Sequence, residues 1–555
     1  MDGQSQLTRI ITAGVMLSIV VTMLVVARSP IASAGSSQGS IVPSPNVTTT
    51  QNNYLQSTSC TSTTFCMAVG YYSTGSYDQT LIEEWNGTSW SIVTSQNTST
   101  AQNNELEGVS CTSTTFCMAV GYYNGGGSSP DETLIEEWKG ASWSTVTSPN
   151  ATTTGDNILS GVSCTSTGFC MTAGDYCSAG NCSSVFQTLV EEWSGTSWSI
   201  VTSSNTTTTQ NNYLQGVSCT STSFCMAAGY YYTGSYDQTL VLEWKGTSWS
   251  VVTSPNTSTT EANVLYGVSC TGSTFCMATG YYYNSTYATD STLVLEWSGT
   301  SWSVVTSPNI CPTCRNYLYG VSCSSTSFCL AVGEDFNNGN AYTLAEEWNG
   351  TSWSIITSAS TNTTQQNLLN GVACTSTAFC MAAGDYINAS NFNQTLVDEF
   401  GMVCSGGSLG LSAPTSAAFP GVTLDGTNQT STLPLTFTPD DETGTGNGWN
   451  LDVTSTTFTN ASSDSLPTSA SSVTGVSSVT LPTGNCSAPT NTVTPYPITV
   501  PAGTTAPTAA AVYSANTNSG EGPANVTLNF AVTVPGYAYS GTYTSTWTFT
   551  IASGP

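Results

Sequence analysis

Histidine is absent from all 555 residues, and lysine and arginine together number five. Without imidazole there is no Ser-His or Cys-His nucleophile, no His-ligated metal and no imidazole base. Arg9 and Arg28 lie in the N-terminal leader, so Lys139, Lys245 and Arg315 are the cations of the remaining chain. A sialidase-type arginine cluster cannot be built from that set. The formal net charge is −28. Such a surface repels phosphate backbones and anionic bilayers, so nucleic acid is not an expected partner. After residue 34 no apolar run is long enough to cross a bilayer as a helix. A two-carboxylate glycoside hydrolase needs only an Asp/Glu pair, but nothing in the sequence marks such a pair out. No cofactor is implied, and the chain is expected not to be an enzyme.

Residues 1–34 have the layout of an export signal. Arg9 precedes the apolar run Ile10 to Ala27, and Ala32-Ser33-Ala34 is a small-residue cleavage site. The run is also long enough to serve as an uncleaved anchor. Twenty cysteines suit an oxidising, extracellular compartment. Fourteen form pairs six residues apart: Cys60 and Cys66, Cys111 and Cys117, Cys164 and Cys170, Cys219 and Cys225, Cys270 and Cys276, Cys323 and Cys329, Cys374 and Cys380. The other six are Cys177 and Cys182, Cys311 and Cys314, Cys404 and Cys486. All are expected as disulfides. Zinc is the competing reading of close cysteines, but a Cys-x5-Cys hairpin offers two ligands per unit, so no metal is assigned.

The cysteine pairs head seven tandem units with steps of 51, 53, 55, 51, 53 and 51 residues. Each unit reads as four short strands. In the fourth these are Gly216 to Cys219, Phe224 to Gly229, Thr239 to Trp244 and Trp249 to Thr253, with Lys245-Gly246-Thr247 as the last turn. The equivalent turns Asn86-Gly87 and Asn349-Gly350 are hairpin signals. The second strand alternates large and small side chains: Phe65, Met67 and Val69 against Cys66, Ala68 and Gly70. A period near fifty with four strands predicts a β-propeller. The seventh unit lacks its fourth strand, and Ser40 to Asn46 matches the missing sequence, as in Ser303 to Asn309. The expected architecture is therefore all-β, a seven-bladed propeller over 35–403 closed by the strand 40–46.

Two sets of side chains are candidates for function. Glu84, Glu137, Glu192, Glu243, Glu296, Glu347 and Glu399 recur before the third-strand aromatic. Too few cations exist to pair them, so neutral donors are expected, with a channel cation or catalysis as alternatives. The loops after the second strand carry Tyr71, Tyr72, Tyr122, Tyr123, Tyr176, Tyr230, Tyr231, Tyr281, Tyr282, Phe336 and Tyr386 among Gly, Ser, Asn and Asp. That mixture gives rigid contact area with adaptable polar groups, and tyrosine rings suit sugar faces. A glycan or protein ligand is expected there; the competing reading is that the first tyrosine of each loop packs between blades.

The pattern SCTSTTFCMAVG followed by W-x-G-x-x-W resembles the Cys-paired repeats of secreted bacterial β-propeller proteins over about residues 40–400. Beyond Cys404 the chain is rich in Thr, Ser and Pro with period-2 alternation, which predicts a β-sandwich over 404–555. Gly444 to Leu451 and Tyr543 to Ile551 resemble the two motifs of the WxL family of Gram-positive surface domains. That family's second motif has Leu, Trp, Leu where this chain has Trp547, Phe549 and Ile551. The resemblance implies attachment to cell-wall peptidoglycan through Trp449, Leu451, Trp547 and Phe549; the same tryptophans could equally fill a sandwich core. The expected whole is a monomeric, secreted or wall-bound binding or adhesion protein. A passive surface coat is the alternative.

Overall fold

The computed structural model describes the backbone of Met16–Val25 and residues 37–124, 129–177, 185–337, 339–361, 365–402, 408–441, 443, 445–481, 487–517 and 519–554. The described residues contain strands and turns but no helix. They form two compact units, Ser37–Gly401 and the remainder. Cys182, Cys404, Cys486 and the Ala32-Ser33-Ala34 cleavage site lie outside the described residues.

The first unit is propeller-like. It repeats one antiparallel sheet, such as Asn53–Ser62, Phe65–Ser73, Asp78–Trp85 and Trp90–Ile92, each strand beside the next in the chain. The last sheet takes its fourth strand from the other end of the unit, where Ser37–Val42 lies beside Asn393–Met402. That strand stops at Pro43, which has no N–H to donate. Beyond it, Asn46 Oδ1 accepts the Thr395 N–H at 2.9 Å, as Asn97 accepts from Thr80 at 2.9 Å.

Alternation along the second strand builds the contacts between sheets. Phe65, Met67 and Val69 of one sheet meet Cys117, Ala119 and Leu134 of the next. The same interlock joins each sheet to its successor, and Phe379, Met381 and Ala383 of the last meet Cys66, Ala68 and Leu81 of the first. The innermost strand carries a bulge after Leu55. It brings the Tyr54 carbonyl oxygen to 2.1 Å from where a Cβ on Gly70 would sit, so only glycine fits. All seven hairpin disulfides form, each with Cα atoms 4.0 Å apart. Cys311 bonds Cys314, and Cys177 is also disulfide-bonded.

The glutamates singled out from the repeats are not the deeply buried acids. One residue earlier, Glu83, Glu136, Glu191, Glu346 and Asp398 are fully buried. Each accepts a serine hydroxyl from the connection leaving the preceding sheet: Ser44–Glu83 at 2.7 Å, Ser95–Glu136 at 2.7 Å, Ser148–Glu191 at 2.8 Å, Ser307–Glu346 at 2.5 Å and Ser358–Asp398 at 3.1 Å. Burial pushes their pKa values up, Glu83, Glu191 and Glu346 to about 8, Glu136 to about 7 and Asp398 to about 6. The expectation of neutral donors for the recurring set fails at Glu137 and Glu243, which pair with Lys139 and Lys245 at 3.0 Å. Side chains alternate along a strand, so neighbouring acids in one motif face different surroundings.

The second unit contains two sheets. One runs Ser416–Thr423, Met16–Val25, Thr542–Ser553, Trp449–Thr456, with Ala502–Gly503 and Ala510–Ala515 against the last. The other runs Leu409–Ser412, Gln429–Asp441, Asn525–Val534, Ser471–Thr480, Ile498–Thr499. Alternate residues of both meet in one core of Phe437, Val453, Val473, Phe530 and their neighbours. Trp449, Leu451, Trp547 and Phe549 are all 0% exposed within it. With Met16–Val25 in place the structure thus puts these four in the core and not on a wall-contacting surface.

Candidate functional site

The loops after the second strands share an end of the first unit with the connections between sheets; the disulfide hairpins lie at the opposite end. At the loop end each innermost strand begins opposite the last residues of the second strand. The facing pairs are Tyr54 and Tyr71, Glu105 and Tyr122, Ile158 and Asp175, Tyr213 and Tyr230, Val264 and Tyr281, Tyr317 and Glu334, Leu368 and Asp385. Two residues further along the innermost strands come Gln56, Glu107, Ser160, Gln215, Tyr266, Tyr319 and Asn370, which line a central cavity of about 380 Å³ with Tyr122. The strands crowd together below these positions. A Cβ on Gly371 would stand 2.9 Å from Ser57 Cα, across the junction of last and first sheets.

The mouth is a field of phenols and carboxyls. Tyr122 donates its hydroxyl to Glu105 at 2.6 Å, Tyr319 to Glu334 at 2.8 Å and Tyr317 to Asp290 at 2.6 Å. Tyr54 accepts from Asn393 Nδ2 at 2.6 Å. The rings pack on one another: Tyr54 on Tyr71 at 4.8 Å, Tyr213 on Tyr230 at 4.9 Å, Tyr281 edge-on to Tyr317 at 5.0 Å. Tyr266, Tyr281, Tyr317 and Tyr319 line a second cavity of about 330 Å³ with Arg315, Glu334 and Phe336. Arg315 Nε stands 3.9 Å from Asp290.

Glu107 lines the central cavity and is half-buried. Burial, then the charge of Glu105, pushes its pKa to about 7. Asp175 and Asp385 are raised to about 8, by burial first and then by Asp156 and Glu334 respectively. Burial also raises Glu105 and Glu334 above the usual carboxylate range. Burial thus biases these acids toward the uncharged form, which both donates and accepts hydrogen bonds. Phenol faces, phenol hydroxyls and acids that burial biases toward the neutral form surround the cavity.

The predicted aromatic residues divide into two groups. Tyr71, Tyr122, Tyr230 and Tyr281 belong to the mouth, and Phe336 shares the wall of the second cavity. Tyr72, Tyr123, Tyr176, Tyr231, Tyr282 and Tyr386 instead pack against the cores between sheets. The competing reading, that the first tyrosine of each loop packs between blades, holds for Tyr176 and Tyr386, which follow Asp175 and Asp385; where two tyrosines follow the glycine, the second packs there and the first faces the mouth. Sequence reasoning missed Tyr54, Glu105, Glu107, Tyr213, Tyr266, Tyr317, Tyr319 and Glu334. A usable signal existed. In the run before each first cysteine the leucine five residues upstream is constant, as in Leu55, Leu106 and Leu159, while the positions four and six residues upstream vary from unit to unit.

No known family model and no curated protein matches the sequence. Among solved structures the chain is similar to Sqt1 from Chaetomium thermophilum, at 9% identity over 63% of this chain and 90% of that one, with a TM-score of 0.37. It is similar to a Dyadobacter fermentans protein of unknown function at 6% identity over 67% and 100%, TM-score 0.36. The polysaccharide lyase Uly1 matches at 8% identity over 70% and 97%, TM-score 0.40. Likenesses this distant carry no argument about activity.

Proposed function

We propose that this chain is an exported, cell-wall-associated binding protein, a closed seven-bladed β-propeller followed by a β-sandwich, whose tyrosine-and-carboxyl mouth receives a glycan. The observation that carries the reading is the mouth itself: facing phenols and carboxyls on successive sheets around a cavity of about 380 Å³. The closed ring is supported by the unbroken interlock from sheet to sheet, the last meeting the first. Export is supported by the leader sequence and by disulfides, which persist in oxidising compartments, and removal of residues 1–34 by the small-residue site Ala32-Ser33-Ala34.

The WxL-like motifs support wall attachment by the C-terminal unit. With their aromatic residues enclosed, contact falls to its exposed surface, where Tyr537 and Tyr539 are 79% and 68% exposed on one turn. That turn is held by Ala538 N–H to Pro535 O and by Tyr543 hydroxyl to Tyr539 O. Two experiments test the proposal. The exported chain on a glycan array should retain a defined saccharide class, and binding to no glycan would remove the propeller half of the reading. Sedimentation with washed cell walls should fall on Tyr537→Ala with Tyr539→Ala; no sedimentation of the unaltered chain would remove the wall half.

A further inference from the structure

Met16–Val25 is an inner strand of the C-terminal unit. Met16 to Thr22 run antiparallel to Ser416–Thr423, with Val20 opposite Ala418. Ser18 to Val25 run parallel to Thr542–Ser553, from Ser18 opposite Thr542 to Val25 opposite Phe549. The flanking strands are not bonded to each other in the sheet order. On the reading that residues 1–34 are removed at export, this strand leaves with them. Two edges then face one another across about 9–10 Å, two inter-strand spacings, each with a row of backbone donors and acceptors lacking partners. Such edges recruit extended chain.

We infer that the exported C-terminal unit contains an acceptor slot one strand wide, and that it is filled by an extended, uncharged, apolar segment of another polypeptide. The leader seated there defines the occupant's chemistry: Met-Leu-Ser-Ile-Val-Val-Thr-Met-Leu-Val has no charge and is rich in β-branched residues. The walls agree. Neither Ser416–Thr423 nor Thr542–Ser553 holds an acidic or basic residue, although the chain as a whole carries a net −28. Phe419 and Trp547, with ring centroids 6.1 Å apart, close the core beneath the slot. A charged strand entering it would be desolvated without a partner. The leader's pairing also fixes direction, parallel to one wall and antiparallel to the other.

The test uses the exported chain beginning at Gly35 and a synthetic peptide of residues 16–25 bearing a soluble tail. Peptide binding should be saturable at one site and should slow amide exchange in 416–423 and 542–549 by at least tenfold. A Val21→Pro peptide, which loses a ladder N–H and places proline in a central strand, should bind at least tenfold more weakly. The inference is overturned by binding that leaves those amides unprotected. It is equally overturned if they are already fully protected without peptide, since the two strands would then have closed on each other. N-terminal sequencing that finds residues 16–25 retained in the exported protein also overturns it, because the slot would be filled by the chain itself.

Discussion

The buried carboxyls between sheets should make the propeller-like unit lose stability as pH rises from mildly acidic to mildly alkaline. Glu83 is enclosed, with one oxygen accepting from Ser44 at 2.7 Å and the other without any partner. Glu346 and Asp398 also leave one oxygen unpartnered. An orphan oxygen is far less costly on a neutral acid than on a carboxylate. The folded pKa of Glu83 is about 8 against an ordinary 4.5. Because the folded value is raised, the folded state binds the extra proton. The stabilisation is complete below pH 4.5 and is withdrawn as pH climbs through about 8. Each pKa unit is worth about 1.4 kcal/mol, so Glu83 alone accounts for on the order of 4 kcal/mol across that window. Glu136, Glu191, Glu346 and Asp398 act in the same direction.

Glu83→Gln keeps the acceptor for Ser44 and stays neutral at every pH. The variant should match the parent near pH 5 and exceed it at pH 8, with a smaller drop in stability between the two. The assay is urea unfolding of the full chain at pH 5, 6.5 and 8, with amide exchange in Asn53–Ser62 and Asp78–Trp85 assigning the change to the first unit. Stability that rises or stays flat between pH 5 and 8, or a Glu83→Gln variant with the parent's full pH dependence, would refute the reasoning.

Other substitutions separate roles that sit side by side in the sequence. Tyr123→Ala removes a ring packed between sheets and should cost about 1–3 kcal/mol in unfolding experiments, leaving ligand affinity unchanged in the folded protein. Replacing Cys219 and Cys225 together by Ser opens one hairpin staple and should cost on the order of 2 kcal/mol, read as a lower urea midpoint. Trp547→Ala should cost about 3–5 kcal/mol, so a loss of wall binding in that variant has to be compared with the folded Tyr537→Ala control.

The strand pattern of the repeats was legible because one physical constraint is repeated at every unit. Phe65, Met67 and Val69 must enter the shallow Cys-and-Ala face of the next sheet, and that requirement writes itself as strict alternation. The outer strand supplied by the N-terminal segment was legible for the same reason, though it ends at Val42 because Pro43 cannot extend the ladder. The mouth was half legible. Tyr71 and Tyr72 are adjacent and chemically identical, and only the phase of the strand assigns one to the cavity rim and the other to the space between sheets. The bulge after Leu55 shifts that phase, and it is enforced by Gly70, fifteen residues away in sequence. The acids failed in the same manner. Glu83 and Glu84 read alike, yet one is sealed against Ser44 and the other lies on the opposite side of the strand. Trp449 and Trp547 resembled a surface motif because motif resemblance carries no information about which face of a strand is enclosed.

The most direct test of the central claim is calorimetric titration of an array-selected glycan into the full chain and into a Tyr71→Ala, Tyr230→Ala, Tyr281→Ala variant. All three rings face the mouth and none contributes to the cores between sheets. The account predicts binding at a single site that the triple variant abolishes while it stays cooperatively folded, its unfolding midpoint lowered by the lost ring contacts with Tyr54, Tyr213 and Tyr317. Undiminished affinity in that folded variant would contradict it.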